Sequence, residues 1–201
     1  KKTKKKNKII NVNKQNSLIN NLDFSLTNDQ KNALDEINQD VSSSNKMFRL
    51  LQGDVGSGKT IVSLLAALNT INSGFQVAIM APTEILARQH FNLAKKIFPK
   101  NINLELISGK SEYKIKKEIL KNLEIDKIDI IFGTHALFQK KVIFRKLGLI
   151  IIDEQHKFGV NQRKRLSDKG GVDCDVLLMT ATPIPRTLTM TIYGDMDISI
   201  I

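Results

Sequence analysis

The chain has 201 residues, 41% of them hydrophobic, with no tryptophan and a formal net charge of +11. That length suits one domain with an aliphatic core, and no apolar run approaches the ~20 residues of a membrane span. The lysine-rich start lacks the apolar segment and cleavage site of a secretory signal, which points to the cytoplasm, and a single cysteine, Cys174, excludes an internal disulfide or a cysteine zinc cluster.

Lys1, Lys2, Lys4, Lys5, Lys6, Lys8 and Lys14 contribute seven charges before the first acid, Asp23, so only +4 remains for the rest. Residues 1–21 are rich in Lys and Asn without a steady apolar period. They read as a flexible tail or an interdomain connector, either solvated or gripping phosphates. Order is expected from Leu22. Thr27 and Gln30 form a capping-box pair that opens a helix through Ala33, Leu34 and Ile37. Ser42 to Asn45 make a loop, and 47–51 is strand-like. A helix follows over 61–72, with Ile61, Leu64, Leu65, Leu68 and Ile71 at helical spacing. Gly74 stops it, 75–81 forms a second strand, and Pro82 ends that. A helix over 84–98 and a charged helix over 112–123 alternate with short aliphatic strands at 104–107, 128–132, 147–152 and 176–179. Cys174 reads as a small buried residue beside the last of these. Strands alternating with helices predict an α/β fold, a mostly parallel sheet with helices on both faces.

Between the 47–51 strand and its helix lies GDVGSGKT, residues 53–60. It satisfies the phosphate-loop pattern in the strand-loop-helix context that gives the pattern meaning. Gly53, Asp54, Val55, Gly56, Ser57 and Gly58 can wrap phosphates with backbone N–H groups. Lys59 can reach the β and γ phosphates, and the Thr60 hydroxyl can ligate Mg²⁺. The aliphatic run 149–152 ends in Asp153, Glu154, Gln155 and His156. Two adjacent carboxylates at a buried strand end repel unless one faces a metal and the other a water. Asp153 therefore fits a Mg²⁺ partner, and Glu154 a group that orients or deprotonates the attacking water.

A parallel sheet binds ligands at its C-terminal strand ends. The polar segments there are Pro82–Thr83–Glu84, Ser108–Gly109–Lys110, Gly133–Thr134–His135 and Thr180–Ala181–Thr182. Thr83 and Thr134 precede helix-like stretches, where they either cap the helix or grip phosphate. With Arg88 nearby, the set Pro82, Thr83, Arg88, Ser108, Gly109, Gly133, Thr134 and His135 points to a nucleic-acid backbone. His90 and His135 have no metal-ligand spacing and read as ordinary polar residues.

GDVGSGKT, APTEILARQH, FGTHALFQ, DEQHKFGV and MTATPIPRTL, in that order, resemble motifs I, Ia, Ib, II and III of superfamily 2 helicases, and among them the RecG family of bacterial ATP-dependent DNA helicases. The resemblance covers 22–201. DEQH followed by Phe158, Gly159 and Val160 favours that family over transcription-repair coupling factors, which read DEEQ before RFGV. Lys157 departs from the family's usual arginine, keeping the charge without the planar fork. The resemblance implies a RecA-like P-loop NTPase domain over 22–201, with ATP read by Gln30 and packed by Phe24, and Mg²⁺ as the second cofactor. It implies catalytic roles for Lys59, Asp153, Glu154, Gln155 and His156. Thr180, Thr182 and Arg186 would couple the nucleotide to DNA, although Arg186 also fits a surface cation on a helix over 187–192. It further implies branched or forked DNA as partner, together with a second RecA-like lobe and a wedge domain. The motifs of the second lobe are missing here, so one motor lobe of a monomeric enzyme is expected, weakly active by itself. The alternatives are a non-catalytic nucleotide-dependent adaptor or a coupling-factor motor.

Overall fold

The computed structural model describes residues 4–109, 112–154, 170–182 and 196–201. Seven strands in this part of the chain are β1 (Phe48–Gln52), β2 (Gln76–Met80), β3 (Leu104–Ile107), β4 (Ile130–Gly133), β5 (Leu147–Ile152), β6 (Asp175–Thr180) and β7 (Asp197–Ile200). The helices are α1 (Val12–Asn20), α2 (Asn28–Ser42), α3 (Lys59–Asn72), α4 (Glu84–Ile97) and α5 (Tyr113–Glu124), with a 3₁₀ turn at His135–Phe138. The strands form one sheet in the order β3-β4-β2-β5-β6-β1-β7, and each neighbouring pair runs parallel.

Both faces of this sheet are covered, which is why its central strands read as unbroken aliphatic runs. Every residue of β2, β5 and β6 is buried. Along β5, Leu149 and Ile151 pack into a cluster with α1 to α4, whereas Ile150 and Ile152 point the other way, toward Ile119 and Leu123 of α5. No helix among the described residues is long and apolar enough to cross a membrane.

The capping box at α2 is present in both directions. Thr27 Oγ1 accepts from Gln30 N at 3.2 Å, and Gln30 Oε1 accepts from Thr27 N at 2.9 Å. Two elements have no counterpart in the sequence reading. β7 is a four-residue strand whose pairing partner is β1, and α1 lies within the stretch expected to be a flexible tail.

That expectation is corrected by what residues 4–21 touch. Lys5 Nζ lies 2.6 Å from Asp175 Oδ1 and Lys8 Nζ 2.7 Å from Asp175 Oδ2, with all three side chains fully buried at the start of β6. Met47 N also donates to Asp175 Oδ1 at 2.7 Å, and Lys5 Nζ donates to Val41 O at 3.1 Å. Burial pushes the Lys5 pKa below the ordinary lysine value, against the pull of Asp175. Further along, Gln15 Nε2 donates to Leu65 O at 3.2 Å. Asn38 Nδ2 donates to Gln15 Oε1 at 3.1 Å, and Asn69 Nδ2 to Asn38 Oδ1 at 2.9 Å. This buried amide ladder joins α1, α2 and α3. The composition that suggests disorder, lysine and asparagine, here supplies buried hydrogen bonds rather than solvated side chains. Cys174, next to Asp175, is fully buried as expected, and burial pushes its thiol up to about 12.

Removing one side of a buried ion cluster strands the other side without compensation. Asp175→Asn should therefore destabilise the fold by about 3–5 kcal/mol in urea unfolding. A loss under about 1 kcal/mol, the range of an exposed pair, would contradict the buried cluster.

Candidate functional site

β1 ends at Gln52 and α3 begins at Lys59, so the intervening loop makes its turn in six residues. Gly56 and Gly58 adopt φ of +83° and +89°, a region that side chains disfavour. A Cβ at Gly58 would also collide with Gln30 Nε2. Ser57 N donates to Asp54 O at 3.1 Å and closes the turn. At its far end the loop passes into the start of α3, whose first N–H groups have no partner within the helix. Lys59 Nζ folds back over the loop, donating to Gly53 O at 2.6 Å and Asp54 O at 2.8 Å. Burial lowers its pKa, opposed by the charges of Asp153, Glu154 and Asp54, so both strand-end carboxylates lie within electrostatic reach of the lysine.

The sheet order explains that meeting. β5, β6 and β1 are neighbours, so the segments that follow them share one stretch of rim. Gly53 N donates to Thr180 O at 3.2 Å, which fastens the loop to the end of β6. Thr180 Oγ1 and Thr182 Oγ1 lie 2.8 Å apart, and Thr182 N donates to Thr180 Oγ1 at 3.1 Å. On the opposite side of the loop, Ile201 N donates to Gln52 O at 2.9 Å, and a Cβ on Gly53 would meet Ile201 O at 2.5 Å. Gln30 Nε2 donates to Ser57 O at 2.7 Å, so one amide links the cap of α2 to the phosphate loop. Phe24 is exposed.

Asp153 is nearly buried. Its backbone N–H donates to Met80 O at 2.8 Å, and its Oδ1 accepts from Glu154 N at 3.0 Å. Its other oxygen, Oδ2, accepts from His90 Nε2 at 2.7 Å. His90 is buried on α4, and the sequence reading of it as an ordinary polar residue is corrected by this contact. Glu154 takes φ +51°, a left-handed conformation rare for a side-chain-bearing residue; such outliers cluster at functional sites. It turns the chain sharply off β5 immediately after Asp153.

The donor set suits a magnesium nucleotide. Thr60 and Asp153 are oxygen donors, and no group of three or more His, Cys, Asp or Glu that could hold a metal is found among the described residues. A Mg²⁺ ion that takes most of its ligands from phosphate and water needs few from the protein. Ser57 Oγ, buried in the loop without a hydrogen-bond partner, is a donor that a phosphate oxygen would satisfy.

The remaining rim, beyond β5, follows β2, β4 and β3, which are also neighbours. Thr83 caps α4, accepting from Leu86 N at 3.2 Å, while Thr134 leads into the 3₁₀ turn without a side-chain cap. Thr83, Arg88, Gly109 and His135 are exposed there, and Pro82 is half-buried. Ser108 and Gly133, expected to face nucleic acid, are buried instead. Gly133 lies under Leu137, whose Cγ would be 3.0 Å from an added Cβ. Gly109 N donates to Glu84 Oε1, and Lys116 Nζ donates to Gly109 O at 2.8 Å, so the ends of β2 and β3 are tied together through α4 and α5. Gln155, His156, Lys157, Arg186, Lys110 and the helix expected over 187–192 lie outside the described residues.

The role of His90 was not legible from spacing because its partner is 63 positions away. The same holds for Lys5 and Lys8, whose partner Asp175 is supplied by the far end of the chain.

Residues 27–191 match the DEAD/DEAH box helicase family. The ATP-dependent DNA helicase RecG of Streptococcus pneumoniae is 53% identical over 180 residues, 90% of this chain and 26% of that protein. The Bacillus subtilis protein of the same name is 53% identical over 184 residues, 91% of this chain and 27% of its own length. A solved structure of RecG bound to a three-way DNA junction superposes with a TM-score of 0.86 at 42% identity, covering 98% of this chain and 26% of that one. The chain thus spans about a quarter of the length of the curated relatives it matches. The family match includes the phosphate loop, both strand-end carboxylates and the Thr180–Thr182 segment, and the chain accordingly belongs to the DEAD/DEAH box helicases.

Proposed function

We propose that the chain is the ATP-binding motor lobe of an ATP-dependent DNA helicase that remodels branched DNA and stalled replication forks. The observation that carries this reading is the division of one sheet rim. The ends of β1, β6 and β5 bring together Lys59, Thr180 and Asp153, and the ends of β2, β4 and β3 expose Thr83, Arg88, Gly109 and His135 next to them. A nucleotide and a nucleic-acid strand would then occupy adjacent sites on one rigid support. The DNA junction bound by the RecG relative supports branched DNA as the ligand of that second stretch.

In this reading the loop N–H groups and the start of α3 bind the phosphates, and Lys59 leaves its contacts with Gly53 O and Asp54 O to reach the β and γ groups. Thr60 and Asp153 hold the Mg²⁺, which neutralises charge on the transferring phosphoryl group. Glu154 accepts the proton of the attacking water in line with the γ-phosphate. Gln30 reads adenine, and Phe24, six positions earlier in the chain, packs against it. Thr180 and Thr182, hydrogen-bonded to each other, with Thr180 O also accepting from Gly53 N of the loop, report the state of the γ-phosphate. The work on DNA requires a second lobe that closes on this one and completes the site. The lobe includes residues 4–21 as well as 22–201, because the buried lysines hold that segment to the sheet. A motor of this kind works in the cytoplasm, as a monomer.

Lys59→Ala should weaken Mg-ATP binding by about 1.5–3 kcal/mol, roughly 10- to 100-fold, in calorimetry. Unchanged affinity would remove the phosphate-loop assignment. Glu154→Gln should bind Mg-ATP like the parent chain, yet lower DNA-stimulated turnover by roughly 10²- to 10⁴-fold once the second lobe is supplied in trans or by fusion. Turnover that survives the substitution places the base elsewhere. Parent chain that binds nucleotide but never turns over with the second lobe present would favour a nucleotide-dependent adaptor.

A further inference from the structure

His90 lies on the boundary between the two halves of the rim. It is buried on the second turn of α4, the helix whose cap is Thr83 and whose exposed face carries Arg88. Its ring nitrogen Nε2 is 2.7 Å from Asp153 Oδ2. Asp153 has its other oxygen engaged by its neighbour's backbone, Glu154 N at 3.0 Å. The carboxylate plane is therefore fixed from two sides, one local and one from a helix 63 residues earlier in the chain. The backbone repeats the link, since Asp153 N donates to Met80 O on β2, the strand that leads into α4.

We propose that His90 is a positioning residue: it orients Asp153 toward the metal of the bound nucleotide, and it makes that orientation depend on α4, so that nucleic acid held by Thr83 and Arg88 is felt at the metal through one hydrogen bond. The proposal rests on the nucleotide reading above. Its physical basis is that a carboxylate ligates a metal well only when its remaining oxygen is held, and the group that holds it sets the lone-pair direction. His90 suits the task because its ring is stiff and buried. α4 suits it because Glu84, in its first turn, accepts from Gly109 N, which ties Gly109 to the helix that carries Thr83 and Arg88. A displacement of that helix by a bound strand moves the His90 ring by a similar amount. A hydrogen bond near 2.7 Å tolerates little of it without rotating the carboxylate.

The test is a Mg²⁺ titration of binding of a fluorescent ATP analogue to the 201-residue chain, with and without a forked oligodeoxynucleotide, for the parent, His90→Ala and His90→Gln. The expected result is a half-saturating Mg²⁺ concentration raised roughly 10- to 100-fold in His90→Ala. Nucleotide affinity in excess EDTA stays at the parental value, and the thermal unfolding midpoint of His90→Ala, though lowered by the loss of a buried hydrogen bond, stays above the assay temperature. His90→Gln, whose amide still donates to a carboxylate, recovers most of the metal dependence. The fork shifts the Mg²⁺ curve of the parent and of His90→Gln but not that of His90→Ala. An unchanged Mg²⁺ curve in a folded His90→Ala overturns the positioning role, as does a His90→Gln no better than alanine. A fork response that persists in His90→Ala overturns the link through α4. If the parent itself shows no Mg²⁺-dependent binding, the nucleotide reading fails, and the proposal falls with it for a visibly different reason.

Discussion

A strand buried on both faces of a sheet has no side-chain surface on which to do chemistry, and β5 is such a strand. Each of its six residues is buried, and its neighbours on the two sides are β2 and β6. Function is therefore displaced to its end, where Asp153 and Glu154 stand at the first positions free of the double cover. Everything else at the site is arranged around that point. β6 and β1 bring Thr180 and the phosphate loop from one side, and β2 brings α4 and His90 from the other. The parallel direction of all the pairings puts these ends on the same rim.

The N-terminal strap serves the opposite end. Lys5 and Lys8 close on Asp175 at the start of β6, whose far end is Thr180, the residue that receives the Gly53 N–H. One strand is thus held at its beginning by a buried ion cluster and delivers, at its finish, a contact to the phosphate loop. Two lysines on one aspartate would repel in water. Here their repulsion is offset by the carboxylate and by Val41 O and Asp173 O, while the Met47 N–H helps fix the same aspartate in place. Such a cluster fixes geometry more than it adds stability, because much of its Coulomb gain goes to desolvation.

Local rules explain which parts of this were visible in the sequence. The phosphate loop, the capping box of Thr27 and Gln30, and the aliphatic strands are written in contiguous residues with their own periods, and the observed elements fall within a few positions of the expected ones. What escaped was long-range or polar. β7 is too short to announce itself, and it is a strand because β1 offers it a free edge. α1 carries Gln15 and Leu18 as its buried residues, so no apolar stripe marks it. Ser108 and Gly133 sit in the expected rim segments but are buried there, which spacing does not encode. His90 was judged on its neighbours in sequence, whereas its partner comes from the adjacent strand.

The central claim is that two ligands occupy two neighbouring stretches of one rim. Amide NMR of the isotopically labelled chain, titrated first with Mg-ADP and then with a forked oligodeoxynucleotide, tests it most directly. The account predicts that Mg-ADP perturbs residues 53–60, 153–154 and 180–182. The fork should perturb 83–88, 109 and 133–135, and the two sets should meet at His90. Perturbation of 53–60 by the fork alone, or no perturbation of 53–60 by nucleotide, would contradict it.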